Sequence, residues 1–210
     1  KKWASTALLS RCYLYVKNWT GASAAASTLI DSSGDLFGLP DSLDDVFLAT
    51  SKEAIWQLQP ILPGYNTFDG FYFNLTSRPT LVTLSPQLRN SFEFGDRRLV
   101  SWVDSTSIDA DTYYYSYKYR VKQSASVSEY LMVFRLAEQY LIRSEARANQ
   151  NDLVGAISDL NHIRHRAGLP DTNPPDQPAL LIAIENERFH ELFSEWGHRW
   201  LDLKRTERSI

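Results

Sequence analysis

The apolar residues of this chain repeat with helical spacing near both ends and lose that spacing in between. In residues 1–31 and again in residues 130–205 they recur every three or four positions, as one buried helix face requires. Residues 32–129 are instead punctuated by Gly, Pro, Ser and Asp, with short β-favouring runs such as 54–58 and 113–119. The pattern predicts a mainly α fold of helical hairpins with a long irregular loop region that carries short strands.

Each end of the chain predicts an antiparallel helix pair. The first pair, in residues 1–31, is divided by a break at 18–21. The second, in residues 130–167, is divided at Asn151-Asp152, where the aspartate supplies an N-cap. It ends in a turn of cationic side chains that is followed by glycine and proline. A further helix is expected from about Pro178 to Trp196, because its aromatic residues follow helical spacing.

The two helix pairs also match each other weakly when the sequence is shifted by 134 positions. In that alignment Ala22 falls on Ala156 and Leu29 falls on Ile163. A small residue early in the second helix of a pair lets the two backbones approach closely, as in tetratricopeptide-like repeats. We therefore expect stacked, tetratricopeptide-like hairpins.

Composition excludes some classes of function and bounds the domain organisation. The chain has 22 basic and 25 acidic residues and a formal charge of −3, with no basic stripe that would bind nucleic acid. Its apolar runs are shorter than the roughly 18 residues that a membrane-spanning helix needs. With 43% hydrophobic residues, one domain over 1–210 can bury a core. We divide it into a hairpin at 1–31, a loop-rich ligand region at 32–129 and C-terminal helices at 130–205. Cys12 is interpreted as a small core residue.

Several residues near the end of the chain could carry chemistry, and each has a structural alternative. His190-Glu191 begins a zinc-protease motif, but position 194, where the second histidine belongs, is Ser194. Glu187, Glu191 and Glu195 recur every four residues and could act as the paired carboxylates of a glycosidase. Nearby arginines favour a structural ion-pair network instead. We therefore predict a protein that is not an enzyme, with no catalytic residue, bound metal or cofactor.

Aromatic residues make up 13% of the chain, which is more than the packing of helical hairpins requires. In residues 65–73 the rings alternate with Asn, Thr and Asp. Aromatic rings stack on sugars while short polar groups bind hydroxyls, so this composition is typical of a sugar-binding surface. The alternative is a hydrophobic plug, but Asn66, Thr67 and Asp69 would then be buried without partners. The predicted ligand-binding residues are Trp56, Tyr65, Asn66, Phe68, Asp69, Phe71 and Tyr72, with Trp102, Tyr113, Tyr114 and Tyr115 as weaker candidates.

The C-terminal residues carry the most specific motif in the sequence. Residues 184–205 contain a Glu-Arg pair, Glu-Leu, Glu-Trp-Gly-His-Arg-Trp and then Asp-Leu-Lys-Arg. This order resembles the C-terminal signature of the SusD/RagB family. Residues 135–146 and 160–170 resemble the hairpin that precedes that signature, and 53–56, 95–98 and 118–119 fall in the expected order. Charges beside tryptophans are costly to bury singly, so the signature residues are expected to be paired and structural. They are Glu187, Arg188, Glu191, His198, Arg199 and Asp202.

The resemblance implies a non-catalytic binding protein that captures a nutrient at the cell surface. It implies a surface-exposed outer-membrane lipoprotein that binds a polysaccharide or oligosaccharide and delivers it to a TonB-dependent transporter. Members are usually about twice as long, so the lipid anchor and any binding residues of the N-terminal half are expected to lie outside this sequence. The alternative function is a helical-repeat adaptor for another protein. The long aromatic-rich region at 32–129 favours ligand capture over that alternative.

Overall fold

The computed structural model describes residues 1–208 of the chain. The helices are α1 (Lys2–Tyr15), α2 (Trp19–Ser32), α3 (Phe68–Phe73), α4 (Pro86–Ser91), α5 (Arg98–Ser101), α6 (Leu136–Asn149), α7 (Leu153–Arg166), α8 (Gln177–Glu191) and α9 (His198–Arg205). The strands are β1 (Ala54–Leu58), β2 (Val103–Ile108), β3 (Asp111–Ser116) and β4 (Leu131–Arg135). The long helices lie at the two ends of the chain and the strands are short. The predicted mainly α fold class is confirmed.

The two hairpins begin their second helices in the same way. The side chain of Asn18 accepts a hydrogen bond from the backbone N–H of Gly21 at 3.0 Å, which caps α2. The side chain of Asp152 accepts one from Gly155 at 3.0 Å, which caps α7. Each cap pairs with one of the backbone N–H groups that a helix start leaves without a partner. The turn residues that the sequence analysis identified therefore fix where both second helices begin.

Alanines let the two hairpins pack closely. Helix α2 packs between α1 and α6, and the contact contains Ala22, Ala26 and Ala146, all fully buried. Leu14 and Ile142 complete the same apolar cluster. Cys12 is not part of it: the interpretation as a core residue was wrong, because Cys12 lies on the exposed face of α1.

Two of the predicted helix boundaries were wrong. Residues 131–135 were expected to be helical, but they form β4, which pairs antiparallel with β1. Helix α8 was expected to reach Trp196 and ends at Glu191. Beyond it, Ser194, Trp196 and Gly197 all adopt left-handed backbone conformations, with φ of 56°, 43° and 70°. The chain therefore turns sharply and starts the separate helix α9.

The middle of the chain contains short strands, as expected, and also one- to two-turn helices. Strands β2 and β3 form a hairpin, while β1 and β4 form a second two-stranded sheet with Leu58 opposite Leu131. Phe47, Trp102, Tyr119 and Met132 are buried together and pack this region against the rest of the fold. Within residues 1–208, every helix is too short or too polar to cross a membrane.

Candidate functional site

The interior of the protein contains a cluster of charged side chains, which we call the ionic cluster. Arg135 is at its centre and is 1% exposed. Its guanidinium contacts Glu53 at 2.7 Å, Glu191 at 2.6 Å and Glu195 at 2.8 Å. Arg166 joins Glu53 and Glu191 from α7. The cluster thus connects the turn before β1 with β4, α7, α8 and the turn that follows α8.

A second part of the ionic cluster surrounds Arg98. Its guanidinium contacts Asp96 at 2.8 Å, Glu187 at 2.6 Å and Glu191 at 3.0 Å, and all four side chains are buried. Burial alone would raise the pKa of Glu191, but Arg166, Arg135 and Arg98 outweigh burial and hold that pKa well below its ordinary range. Glu187 and Glu191 therefore do not lie in an open cleft, which the glycosidase alternative requires of them.

Three of the remaining signature residues, Arg188, Arg199 and Asp202, form ion pairs around α9, whereas burial lowers the pKa of the fourth, His198. Arg188 donates to both carboxylate oxygens of Asp202, at 2.9 and 3.1 Å, and Arg205 contacts the same carboxylate at 2.7 Å. His198 is buried with its Nε2 4.0 Å from a carboxylate oxygen of Glu138. Arg199 contacts Glu185 at 3.3 Å. The contacts of Arg188, His198 and Arg199 each connect two helices, which is consistent with a structural role, and that role stays our prediction.

Replacing Arg188 with alanine is expected to lower the free energy of unfolding by roughly 2–3 kcal/mol, because a buried carboxylate loses a two-point partner while Arg205 still neutralises part of its charge. Urea denaturation of Arg188→Ala against wild type measures this change. Arg199→Ala is the control, since its side chain is 36% exposed and exposed pairs contribute less than about 1 kcal/mol. A variant of unchanged stability that no longer bound ligand would show that Arg188 has a binding role instead.

A groove runs around α3 and is the main concave surface that aromatic side chains line. It consists of three adjoining cavities of about 180, 420 and 260 Å³. Leu131 lines both the first and the central cavity, while Phe73 and Ser194 line both the central and the third. We call this surface the α3 groove. Its length suits an extended ligand better than a compact one.

The turn from Ser194 to Gly197 shapes the central cavity of the α3 groove. A left-handed backbone costs a residue other than glycine on the order of 1 kcal/mol, so its occurrence at both Ser194 and Trp196 needs a structural reason. The turn directs Glu195 inward, to Arg135 and to Lys118 at 2.5 Å. It also leaves Trp196 49% exposed at the cavity, where its indole N–H donates to the carbonyl of Met132 at 2.5 Å.

Polar residues of the predicted ligand loop are buried and hold α3 in place. The side-chain oxygen of Asn66 accepts hydrogen bonds from the backbone N–H groups of Ser128 and Glu129, at 2.7 and 2.9 Å. Thr67 caps α3 by accepting from Gly70. A Cβ on Gly70 would lie 2.7 Å from the carbonyl oxygen of Val121, so glycine permits α3 to pack directly on that segment. The expectation that Asn66 and Thr67 face solvent was wrong, because backbone groups satisfy both of them.

Asp69 differs from those two residues, since it lines the central cavity of the groove. It makes no hydrogen bond or ion pair with any side chain or backbone group of residues 1–208. Burial raises the pKa of its carboxyl to about 6; Glu195 acts in the same direction and Lys118 in the opposite one. Burial also lowers the pKa of the Lys118 ammonium to about 8, although the nearby carboxylate of Glu195 acts in the opposite direction.

The C-terminal residues show which protein family the chain belongs to. The model of the SusD family matches residues 97–209, which is more than half of the sequence. The chain belongs to the SusD family. The resemblance that the signature residues carried is thereby confirmed.

Three relatives illustrate the likeness. A SusD superfamily protein from Bacteroides vulgatus is 28% identical, with a TM-score of 0.78 over all of this chain and 50% of that structure. Surface glycan-binding protein A from Bacteroides uniformis is 21% identical, with a TM-score of 0.73 over 96% of this chain and 49% of that structure. SusD-like protein P38 from Formosa agariphila is 28% identical over 128 residues, which is 56% of this chain and 25% of the relative. The chain thus spans about half the length of these two solved structures. Its match to SusD-like protein P38 covers a quarter of that protein.

The structure brings together only some of the ligand-binding residues predicted for this SusD-family chain. Tyr65, Asn66 and Phe68 line the first cavity of the α3 groove, Asp69 lines the central one and Tyr115 lines the third. Other predicted residues lie outside the groove: Trp56 is exposed on β1, Phe71 and Tyr72 line a separate cavity of about 220 Å³, and Tyr113 and Tyr114 lie on the β2–β3 hairpin. Trp102 is 1% exposed, so its assignment to a ligand surface was wrong.

Sequence reasoning missed several residues of the groove, among them Leu131 and Trp196. Phe73, which also lines it, lies at the end of the loop from Trp56 to Phe73 on which the ligand surface was expected. Trp196 was interpreted as part of an apolar helix face. Its position directly before Gly197, a residue suited to a left-handed turn, was the available signal that Trp196 lies in a turn and not on a helix face.

Proposed function

We propose that this chain is a non-catalytic glycan-binding part of a nutrient-uptake protein of the outer-membrane surface. The observation that carries the proposal is the α3 groove, which is long, open and lined by aromatic side chains with polar groups between them. Rings of this kind stack on sugar faces and contribute on the order of 1 kcal/mol each. The name of the Bacteroides uniformis relative, a surface glycan-binding protein, supports the same ligand class.

Several rings acting together give weak to moderate affinity, in the range of roughly millimolar to micromolar dissociation constants. Such affinity suits a protein that must release its ligand again. We propose that it delivers the polysaccharide or oligosaccharide to a TonB-dependent transporter and is held at the surface by a lipid anchor. Both proposals rest on membership of the SusD family. A transporter of that class should co-purify with the full-length protein from detergent-solubilised outer membranes, and purification without any transporter would reject this partner.

Removing single rings is expected to weaken glycan binding about fivefold per ring, which corresponds to about 1 kcal/mol. Tyr65→Ala and Phe68→Ala, in the groove, are expected to show this loss. Trp56→Ala and Tyr72→Ala, whose rings lie outside the groove, test whether the ligand extends beyond it. Isothermal titration of the full-length protein with a panel of polysaccharides measures the change. Phe94→Ala is the matched control, because Phe94 is a fully exposed ring that does not line the groove.

The variants and wild type together separate three outcomes. Reduced affinity in Tyr65→Ala and Phe68→Ala, with Phe94→Ala unchanged, assigns the ligand to the α3 groove. If all four ring variants bound as tightly as wild type a glycan that wild type binds, the binding site would lie elsewhere in the full-length protein. If wild type bound no member of a broad panel, the proposed ligand class would be wrong.

A further inference from the structure

The central cavity of the α3 groove combines a fixed aromatic ring with a carboxyl group that has no partner. Trp196 is held in place by its hydrogen bond to the carbonyl of Met132, and about half of its surface remains exposed. Asp69 lines the same cavity from α3. A ring face beside a hydrogen-bond acceptor is an arrangement that can bind a sugar. The ring stacks on the C–H face of the sugar, and the acceptor binds the sugar hydroxyls.

The charged groups around Asp69 leave the cavity negative. Glu195 faces it from the turn after α8, but Arg135 and Lys118 neutralise Glu195. Lys118 and Tyr119 approach from the segment after β3, and Lys118 is committed to Glu195 and to the carbonyl of Glu191. From α9, His198 and Arg199 line the cavity; His198 lies near Glu138, and Arg199 shares the carboxylate of Glu185 with Arg208 and does not contact Asp69. The carboxylate of Asp69 is therefore left without a compensating charge.

Building on the glycan-binding function proposed above, we propose that this cavity is a subsite for one uncharged sugar ring, which Trp196 stacks against and Asp69 holds by accepting hydrogen bonds from its hydroxyls. Uronic acid and sulfated sugars are excluded, because a second negative charge beside the half-buried Asp69 is unfavourable in a cavity of low dielectric constant. The ligand class is thus narrowed from glycans in general to neutral glycans, or to neutral segments of them.

The subsite makes affinity depend on pH. Because burial and Glu195 together raise the pKa of Asp69 to about 6, this carboxyl changes its protonation state in a mildly acidic range. Above its pKa, both oxygens accept hydrogen bonds from the ligand. Below it, one oxygen carries a proton and the acceptor capacity is reduced. Affinity for a neutral glycan should therefore fall as the pH falls through the pKa of Asp69.

The test uses Asp69→Asn and Trp196→Ala in the full-length protein, titrated with a neutral polysaccharide that wild type binds. At about pH 7.5, Asp69→Asn is expected to lose about tenfold in affinity, since a hydrogen bond to a charged acceptor is stronger than one to a neutral amide. Its affinity should be flat down to about pH 5, whereas that of wild type should fall to the level of the variant. Trp196→Phe keeps a ring face and should retain most of the affinity that Trp196→Ala loses.

Matched controls separate local effects from general ones. Trp200→Ala removes a tryptophan that is 57% exposed outside the cavity, and Asp109→Asn removes an exposed carboxylate on the β2–β3 turn. Both should bind like wild type, and thermal unfolding checks that all variants are folded. Wild-type affinity that is unchanged in Asp69→Asn and Trp196→Ala, or a preference for sulfated or uronate glycans, would overturn the subsite while leaving glycan binding intact. Failure of wild type to bind any glycan would overturn both proposals.

Discussion

Replacing Arg135 with methionine is expected to lower the free energy of unfolding by about 3–5 kcal/mol, the usual cost of breaking a buried ion pair by removing one partner. Methionine fills much of the volume of the arginine side chain. The loss of stability therefore reflects the removal of the charge more than a change in packing. The change leaves Glu53, Glu191 and Glu195 with fewer cationic partners inside the protein. Since domains are stable by roughly 5–15 kcal/mol, a loss of this size is a large part of the total. Urea denaturation followed by circular dichroism measures it.

Arg120→Met is the matched control for Arg135→Met. Arg120 pairs with Asp44, but the two side chains are 34% and 51% exposed, so the loss should stay below about 1 kcal/mol. Equal stability of the two variants would show that the ionic cluster contributes no more than a surface pair. The comparison holds residue type and substitution constant and changes only burial and the number of partners.

The effect of Arg135→Met should also depend on pH. Burial alone would raise the pKa of Glu195, but Arg135 and Lys118 outweigh burial and hold it below its ordinary value. A carboxylate whose pKa is lower in the folded than in the unfolded state contributes stability above the unfolded pKa, and that contribution is lost as the pH falls through the folded one. The difference between wild type and variant should therefore be largest near neutral pH and should narrow in acid.

The helical hairpins could be predicted because their signals are local. Apolar spacing within one helix, the side-chain caps at Asn18 and Asp152, and small residues such as Ala22 all act within a few positions of where they stand. The end of α8 could not be predicted in this way. Apolar spacing continues through Phe193 and Trp196, whereas the actual break is stabilised by contacts of Glu195 with residues distant in sequence.

The ionic cluster, too, could be predicted only in the part that depends on neighbouring residues in sequence. The repeat of Glu187, Glu191 and Glu195 indicated an ion-pair network, and these carboxylates do lie in one. Their nearby arginines in sequence were the expected partners, but the observed partners come from other elements: Arg98, Arg135 and Arg166. One sequence does not reveal which distant arginine approaches which glutamate, because that depends on how the hairpins stack on the middle of the chain.

The candidate site could be predicted only at the level of composition. Aromatic density in residues 65–73 indicated the region that became α3 and one wall of the groove. Composition did not show that Asn66 would bind backbone groups of residues 128 and 129, nor that Trp196 would form the opposite wall. Both depend on pairing between segments more than sixty residues apart.

The burial of Trp102 leads to the second large expected effect, which is on stability and not on binding. Its indole is 1% exposed, donates to the carbonyl of Leu43 at 3.0 Å and packs edge-to-face on Phe47 with ring centroids 5.6 Å apart. The ammonium of Lys118 lies 4.7 Å from the centre of the Trp102 ring. The ring thus joins the apolar core of the middle region to the edge of the ionic cluster.

Trp102→Ala is expected to lower the free energy of unfolding by about 3–5 kcal/mol, because it leaves a large cavity in the core and removes the hydrogen bond that the indole donates to the carbonyl of Leu43. Trp200→Ala is the matched control and should cost less than about 1 kcal/mol, since its ring is 57% exposed. Denaturation curves of the two variants distinguish these values directly. If Trp102→Ala kept wild-type stability but lost glycan affinity, Trp102 would have to be assigned to the ligand-binding surface after all. That result would also contradict the packing that places Lys118 beside Glu195, because that lysine is shielded from water partly by the Trp102 ring.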